Sequence, residues 1–251
     1  MNTSRIIILL AVLFYALPVY GGLTDGLVAY WNFDETSGDT ALDSVGSANG
    51  TLYGDATRVN GISNGGVQFS GDGHMGLLNY SSLNITVDAI TISLWYKPGT
   101  NEASFNSDNQ MVAKWLGVSN AYILGYCDSS NDIWFGIKAD NKLMAYSSVP
   151  VDNVNQWYHI VGVYNGSEQI VYINKTAGTP VANSGNIRST TQQVRVSGYT
   201  NGTEKLNGTI DDIRIYNRAL TADEVAQLYV TPEPATIFLL GAGLIFVRKK
   251  K

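Results

Sequence analysis

The strongest constraint on this chain is a period of two that recurs in short runs. Leu27, Ala29, Trp31 and Phe33 alternate with Val28, Tyr30, Asn32 and Asp34, and Ile90, Ile92, Leu94 and Tyr96 with Thr91, Ser93, Trp95 and Lys97. Ile133, Phe135 and Ile137 define one side of a further run, and His159, Val161 and Val163 one side of the next. Ile170–Asn174, Gln193–Tyr199 and Thr209–Tyr216 continue the pattern. Successive side chains on a strand point to opposite faces, so each run offers one apolar face for a core. Clusters of Asn, Asp, Gly and Ser lie between the runs, where turns are needed. The pattern predicts an all-β fold of two antiparallel sheets packed as a sandwich.

One segment departs from that period. Thr221-Ala222-Asp223-Glu224 is a capping box, in which threonine caps the Glu224 amide and the glutamate reaches back. Val225, Leu228 and Tyr229 then share a helical face, predicting a short helix docked on the sandwich. Residues 23–230 have the size of one large sandwich, with no internal repeat and no low-complexity linker.

The two ends have a different character. After Arg5 the chain is almost wholly apolar from Ile6 to Val19, and Val19 and Gly21 suit a cut after Gly21. Fourteen apolar residues rise about 21 Å as a helix against a hydrocarbon core of about 30 Å, which favours a cleaved signal peptide (1–21) over an anchor. At the other end, Thr231-Pro232-Glu233-Pro234 precedes an apolar Ala235–Val247 and a basic Arg248-Lys249-Lys250-Lys251. Pro-Glu-Pro stops a helix and leaves an extended segment, and the basic end stays cytoplasmic by the positive-inside rule. This tripartite tail (231–251) closely resembles the PEP-CTERM sorting signal of Gram-negative bacteria. The resemblance implies an exosortase-type processing partner, transient inner-membrane anchoring, and a domain exported to the cell surface or extracellular matrix. A plain C-terminal anchor is the alternative, and it too places the domain outside the cytoplasm.

Composition narrows the function classes. One cysteine among 251 residues excludes an intrachain disulfide and a cysteine-based zinc cluster, and two distant histidines leave little for a histidine metal site. Residues 22–234 carry all 21 acidic residues and 11 of the 16 basic ones, a net charge near −10. Such a surface repels nucleic acid and anionic lipid.

Within the domain, Gly26-Leu27-Val28-Ala29-Tyr30-Trp31-Asn32-Phe33-Asp34-Glu35 resembles the opening strand of LamG-like jelly-roll domains, the concanavalin A-like, laminin G type 3 family. Asp43–Leu52 resembles the loop that follows, Ile90–Pro98 the Ile-Ser-x-Trp-x-Lys-Pro strand, and Trp157–Tyr164 the Trp-His-His-Val segment. Leu206–Leu220 resembles the closing signature. The segments occur in family order across 23–229, implying a two-sheet jelly roll. The chain lacks the cysteine pair that some relatives use to pin the last strands.

Candidate sites follow from chemistry and from that resemblance. Glycoside hydrolases of this architecture need two carboxylates about 5–9.5 Å apart on one face. No glutamate of the domain has an acidic neighbour two positions away on a strand, and Asp211 and Asp212 would face opposite ways on a regular strand. The expectation is therefore a non-catalytic module. Calcium takes about 6–8 oxygens, and family resemblance implies one structural Ca2+ held by Asp43 and Asp211 side chains with Gly46 and Asn49 carbonyls. The alternative is that Asp43 makes an Asx-turn and Asp211 pairs with an arginine such as Arg214. Glycan binding needs an exposed aromatic platform, for which Trp95, Trp134 and Tyr126 are the candidates; core packing is the competing reading for each. Trp31, Trp157 and His159 read as framework, Cys127 as a small buried residue, and the seven Asn-x-Ser/Thr sequons of residues 22–234 as turn chemistry. The family resemblance implies a polysaccharide partner, exopolysaccharide first. A protein-binding or structural adhesion role is the alternative, and it predicts exposed apolar loop residues.

Overall fold

The structure, a computed structural model, describes residues 22–99, 108–116, 119–127, 130–139, 142–146, 150–151, 153–198 and 204–230. The expected signal peptide, the sorting tail and Tyr199 lie outside the described residues.

The period of two builds two sheets. In chain order the strands are β1 (Leu27–Trp31), β2 (Thr40–Ala41), β3 (Gly50–Tyr53), β4 (Thr57–Asn60), β5 (Gly65–Phe69), β6 (His74–Leu77), β7 (Ile90–Pro98), β8 (Asp108–Leu116) and β9 (Ser119–Cys127). They continue as β10 (Asp132–Lys138), β11 (Lys142–Tyr146), β12 (Tyr158–Tyr164), β13 (Glu168–Ile173), β14 (Thr176–Ala177), β15 (Val181–Ala182), β16 (Arg195–Val196) and β17 (Gly208–Tyr216). Among the described residues one sheet runs β14-β13-β12-β7-β17-β5-β4, with β1 also on β17 and β15 on β13, and the other runs β11-β10-β9-β8-β16-β6-β3-β2. The strand pairings among the described residues are antiparallel, and the first and last long strands, β1 and β17, lie side by side.

The expected inward faces meet between the sheets except in β12, where Ile160 faces the core and the expected His159, Val161 and Val163 side faces outward, because α1 supplies that side with its own apolar cover. Trp31, Phe33, Phe69, Met75, Leu94, Tyr122, Phe135, Ile160 and Ile213 belong to one buried cluster. Gly162 shows how close the sheets come: a Cβ there would collide with the Phe135 ring from the opposite sheet. Trp31 is fully buried, and its indole N–H donates to the Ala48 carbonyl (2.9 Å), tying the following loop to the core.

Two expected strands are shorter than the alternation implies. The first ends at Trp31, because Phe33 adopts a left-handed backbone (φ 55°). The run from Gln193 pairs only at Arg195–Val196, because Ser197 (φ 65°) and Gly198 (φ 77°) turn the chain. The predicted helix forms as α1 (Ala222–Val230) with both halves of its capping box. The Glu224 N–H donates to Thr221 Oγ1 (3.2 Å), and the Thr221 N–H to Glu224 Oε2 (2.8 Å). Val225 and Leu228 pack with Val161, Val163 and Tyr216, so α1 covers the outer face of the larger sheet.

Candidate functional site

The outer face of the larger sheet carries polar residues beside its apolar ones, and α1 helps to seal them. Register places Trp95 opposite both His159 and Asp211, and Ser93 opposite Val161 and Arg214. Trp95 is 6% exposed, its ring lying 5.0 Å from His159 and 5.6 Å from Tyr229 of α1. The alternation thus assigns Trp95 to the outer face, but the helix roofs it, so it is packing rather than a platform. His159 is fully buried with Nε2 2.9 Å from Ser93 Oγ. Burial, with the Arg214 charge adding, pushes its pKa down to about 3, leaving a neutral ring. Asp212 accepts from the Tyr30 hydroxyl and from Arg214, whose guanidinium sits 4.3 Å above the Tyr30 ring.

The adjacent carboxylates sit in an irregularity that their spacing did not announce. Register slips between Asp211 and Arg214, and Asp212 has φ 56°. The regular alternation expected for Asp211 and Asp212 therefore fails here. Both are 1% exposed. Asp211 Oδ2 accepts from the Ile62 (2.9 Å) and Ser63 (3.3 Å) amides. Burial first and the Asp212 charge second raise the Asp211 pKa to about 8, against those hydrogen bonds. A carboxyl so enclosed holds a loop in place and has no route to a glycosidic bond.

The expected calcium ligands fall into two separate hydrogen-bond networks. Asp43, Gly46 and Asn49 do come together, but around Asp43 itself: its Oδ1 accepts from Tyr30 (3.0 Å) and Val45 (3.1 Å), its Oδ2 from Ala48 (3.0 Å). Asn49 Oδ1 accepts from the Asp43 amide (2.9 Å), and a Cβ at Gly46 would meet Asp43 Oδ2 at 2.7 Å. The bond to Val45, two residues on, is an Asx-turn. Asp211 shares none of these partners, and Asp212 rather than Asp211 is the carboxylate paired with Arg214. Among the described residues no three His, Cys, Asp or Glu side chains cluster as metal ligands. Asp43 and Asp211 thus accept from separate sets of amides and anchor different loops.

Of the other aromatic candidates, Tyr126 is 6% exposed, in the core, with its hydroxyl on Asn131 Oδ1 (2.8 Å). Trp134 does lie on the outer face of the smaller sheet. Its indole rests flat across Gly125, where any Cβ would collide with it, and packs with Ala113, Trp115 and Ile123 at 5% exposure.

The open site lies further along that same face. Register aligns Tyr53 with His74, Thr51 with Gly76, and Gly76 with Arg195, so these side chains share the outward side of β3, β6 and β16. They line a groove of about 510 Å³ with Thr40, Tyr80 and Gln193. Tyr53 is 50% exposed and stacks on His74 at 5.1 Å and 20°. Its ring also lies over Gly76, where a Cβ would approach to 3.1 Å. His74 Nδ1 sits 3.0 Å from the Asp72 carbonyl, which orients the imidazole beneath the tyrosine. The result is a half-exposed aromatic plate beside hydroxyl, amide and guanidinium groups, a combination that stacks on the CH face of a sugar and bonds to its hydroxyls.

Sequence reasoning did not single out Tyr53, His74 or Arg195. The signal is present: Leu52, Met75 and Leu77 are core residues, so the period of two sends Thr51, Tyr53, His74 and Gly76 outward. The runs are only four residues long, and nothing local says that β3 and β6 pair.

Comparison with known proteins accords with this architecture. A family model described as the concanavalin A-like lectin/glucanases superfamily, laminin G type 3, matches residues 69–226, and a PEP-CTERM protein-sorting motif matches 230–251. Among curated proteins there is no match. Among solved structures, the chain is similar to the binding domain of Paraclostridial Mosquitocidal Protein 1, with 19% identity and TM-score 0.66 over 82% of this chain and 52% of that one. It is similar to the binding domain of botulinum neurotoxin serotype G, with 16% identity and TM-score 0.65 over 81% of this chain and 50% of that one. The chain thus spans about half the length of these toxin domains. It is also similar to domain 4 of AbnA, an extracellular arabinanase from Geobacillus stearothermophilus, in complex with arabinotriose, with 19% identity and TM-score 0.63 over 81% of this chain and 98% of that one. At these identities the likeness establishes the jelly-roll fold alone. With the family model covering more than half of its residues, the chain belongs to the concanavalin A-like lectin/glucanases superfamily, and it ends in a PEP-CTERM sorting motif.

Proposed function

We propose that this protein is an exported, non-catalytic carbohydrate-binding module of the cell surface or extracellular matrix, and that the groove beside Tyr53 holds the glycan. The observation that carries this reading is the half-exposed Tyr53 ring, stacked on His74 and bordered by Thr51, Gln193 and Arg195. The arabinotriose-bound AbnA domain supports it as a case of this fold used for a saccharide. The sorting motif indicates exosortase-type export, in which the apolar segment of the tail is the transient membrane anchor. The sealed state of Asp211 and Asp212 supports a module without hydrolytic chemistry. Calcium has no part in the proposed binding.

The test is a polysaccharide and oligosaccharide panel, arabinan included, against the full-length protein. Saturable binding to one class is expected, with Tyr53→Ala weakening it tenfold or more, about 1.4 kcal/mol. Folded protein that binds no glycan, or Tyr53→Ala with unchanged affinity, overturns the proposal. A protein-binding role has one observation in its favour: Leu42 (50%) and Val45 (49%) are exposed on the loop that Asp43 organises. Under that reading saccharides would not compete with the partner.

A further inference from the structure

The groove is an exception to the charge of its surroundings. Acidic residues outnumber basic ones 21 to 11 over residues 22–234, yet none of the groove's lining residues is Asp or Glu. Asp55 and Asp72 lie just past Tyr53 and His74, where they bridge two turns: the Asp55 amide donates to Asp72 Oδ1 at 3.0 Å. They bound the tyrosine end of the groove and leave the other end to cations.

Arg195 lines that other end, and a second cation, Lys114, is buried close by. Arg58, Arg214 and Arg218 are each paired with a carboxylate, whereas Arg195 makes no ion pair among the described residues. Arg195 pairs in register with Gly76 on one side and Ala113 on the other, two positions too small to cover its guanidinium. Lys114, next to Ala113, is 1% exposed and donates only to neutral oxygens, Asn79 Oδ1 (3.1 Å) and the Gln192 carbonyl (2.5 Å). Asn79 sits between the groove residues Leu78 and Tyr80, and Gln192 precedes Gln193. Burial lowers the Lys114 pKa, and neither of its partners supplies an anion to offset that. Among the described residues this ammonium has no counterion, and its partners flank the groove, so its positive charge lies near this end of it.

Resting on the glycan-binding reading above, we propose that the groove selects an acidic polysaccharide, with a uronate carboxylate paired to Arg195 while the adjoining sugar stacks on Tyr53. Guanidinium and carboxylate match as a bidentate pair, and the Lys114 charge behind Arg195 strengthens the attraction without touching the ligand. The acid-free lining, set in an acidic domain, favours a carboxylate at this end of the groove.

The test compares polygalacturonate with its fully methyl-esterified form, which keeps the backbone and removes the charge, using full-length protein at low and high salt. Wild type should bind the acid at least tenfold more tightly, with the preference shrinking at high salt, and Arg195→Gln should reduce that preference to about twofold. Arg195→Lys, which keeps the charge and loses the fork, should show an intermediate preference, and a thermal melt checks that each variant is folded. Equal binding of the two polymers by wild type, or a preference that survives in folded Arg195→Gln, overturns the inference. Binding of neutral glycans alone, still lost in Tyr53→Ala, overturns this inference and leaves the carbohydrate-binding reading standing. Absence of binding to any glycan overturns both.

Discussion

The two outer faces of this sandwich are made from the same kind of alternating strand and have opposite fates. On the larger sheet, α1 lies over Val161, Val163 and Tyr216, and its Tyr229 closes over Trp95 and His159. Polar groups there are committed to one another: Ser93 to His159, Asp212 to Tyr30 and Arg214, Arg218 to Glu224. On the smaller sheet, the stretch over β3, β6 and β16 stays open, with Tyr53 half exposed and Arg195 without an acidic partner among the described residues. Polar chemistry under a roof holds the fold together, and polar chemistry beside an exposed aromatic is left for a ligand. The perturbed pKa values of Asp211 and His159 both arise first from burial under that roof.

Substitutions on the two faces should separate these roles. The largest effect is expected from Trp95→Ala under the roof, a loss of about 3–5 kcal/mol in denaturant unfolding, as for other large-to-small changes at buried aromatics. A cost below 1 kcal/mol would mean that α1 does not seal that face.

The next effect is a pH dependence. The folded chain keeps Asp211 protonated up to about pH 8, against an ordinary carboxylate value of 3.8, so the folded state holds the extra proton in between and stability falls as pH rises toward 8. His159 works oppositely: its folded pKa near 3 lies below the ordinary 6.5, so its contribution is lost as pH falls from 6.5. The two oppose each other below pH 6.5, and the window from 6.5 to 8 isolates Asp211. Melting across that window should show stability declining by up to about 1.4 kcal/mol per pH unit. Asp211→Asn should flatten the slope; a slope that persists in this variant assigns it to another group.

Smaller still is the loss of the helix cap. Thr221→Ala should lower stability by about 1 kcal/mol, because the Glu224 amide loses its acceptor. Tyr53→Ala, on the open face, should stay within about 0.5 kcal/mol of wild type in the same assay. A large loss there would make Tyr53 a packing residue and remove the contrast between the faces.

Much of the fold was legible because local signals and tertiary outcome agree. The alternation of Ile90–Pro98 gave its inward face, and the capping box at Thr221 gave the start of α1. What periodicity cannot supply is which outward face becomes covered. Trp95 has the right alternation for an exposed platform, and only Tyr229, 134 residues further along the chain, decides otherwise. Asp43 and Asp211 have the chemistry of metal ligands, yet backbone amides occupy the Asp43 oxygens, which no spacing of side chains reveals. The groove went unread for the complementary reason. Its residues come from three short strands whose pairing is nonlocal, so no single window of sequence contains Tyr53, His74 and Arg195 together.

The most direct test of the contrast is hydrogen–deuterium exchange on the full-length protein with and without saturating glycan. Protection should rise over 50–53, 74–77 and 195–196, the strands that floor the groove, and remain unchanged over α1 at 222–230. Protection confined to 222–230, or to the exposed loop at 42–48, would place the ligand elsewhere and contradict the assignment of the open face as the binding surface.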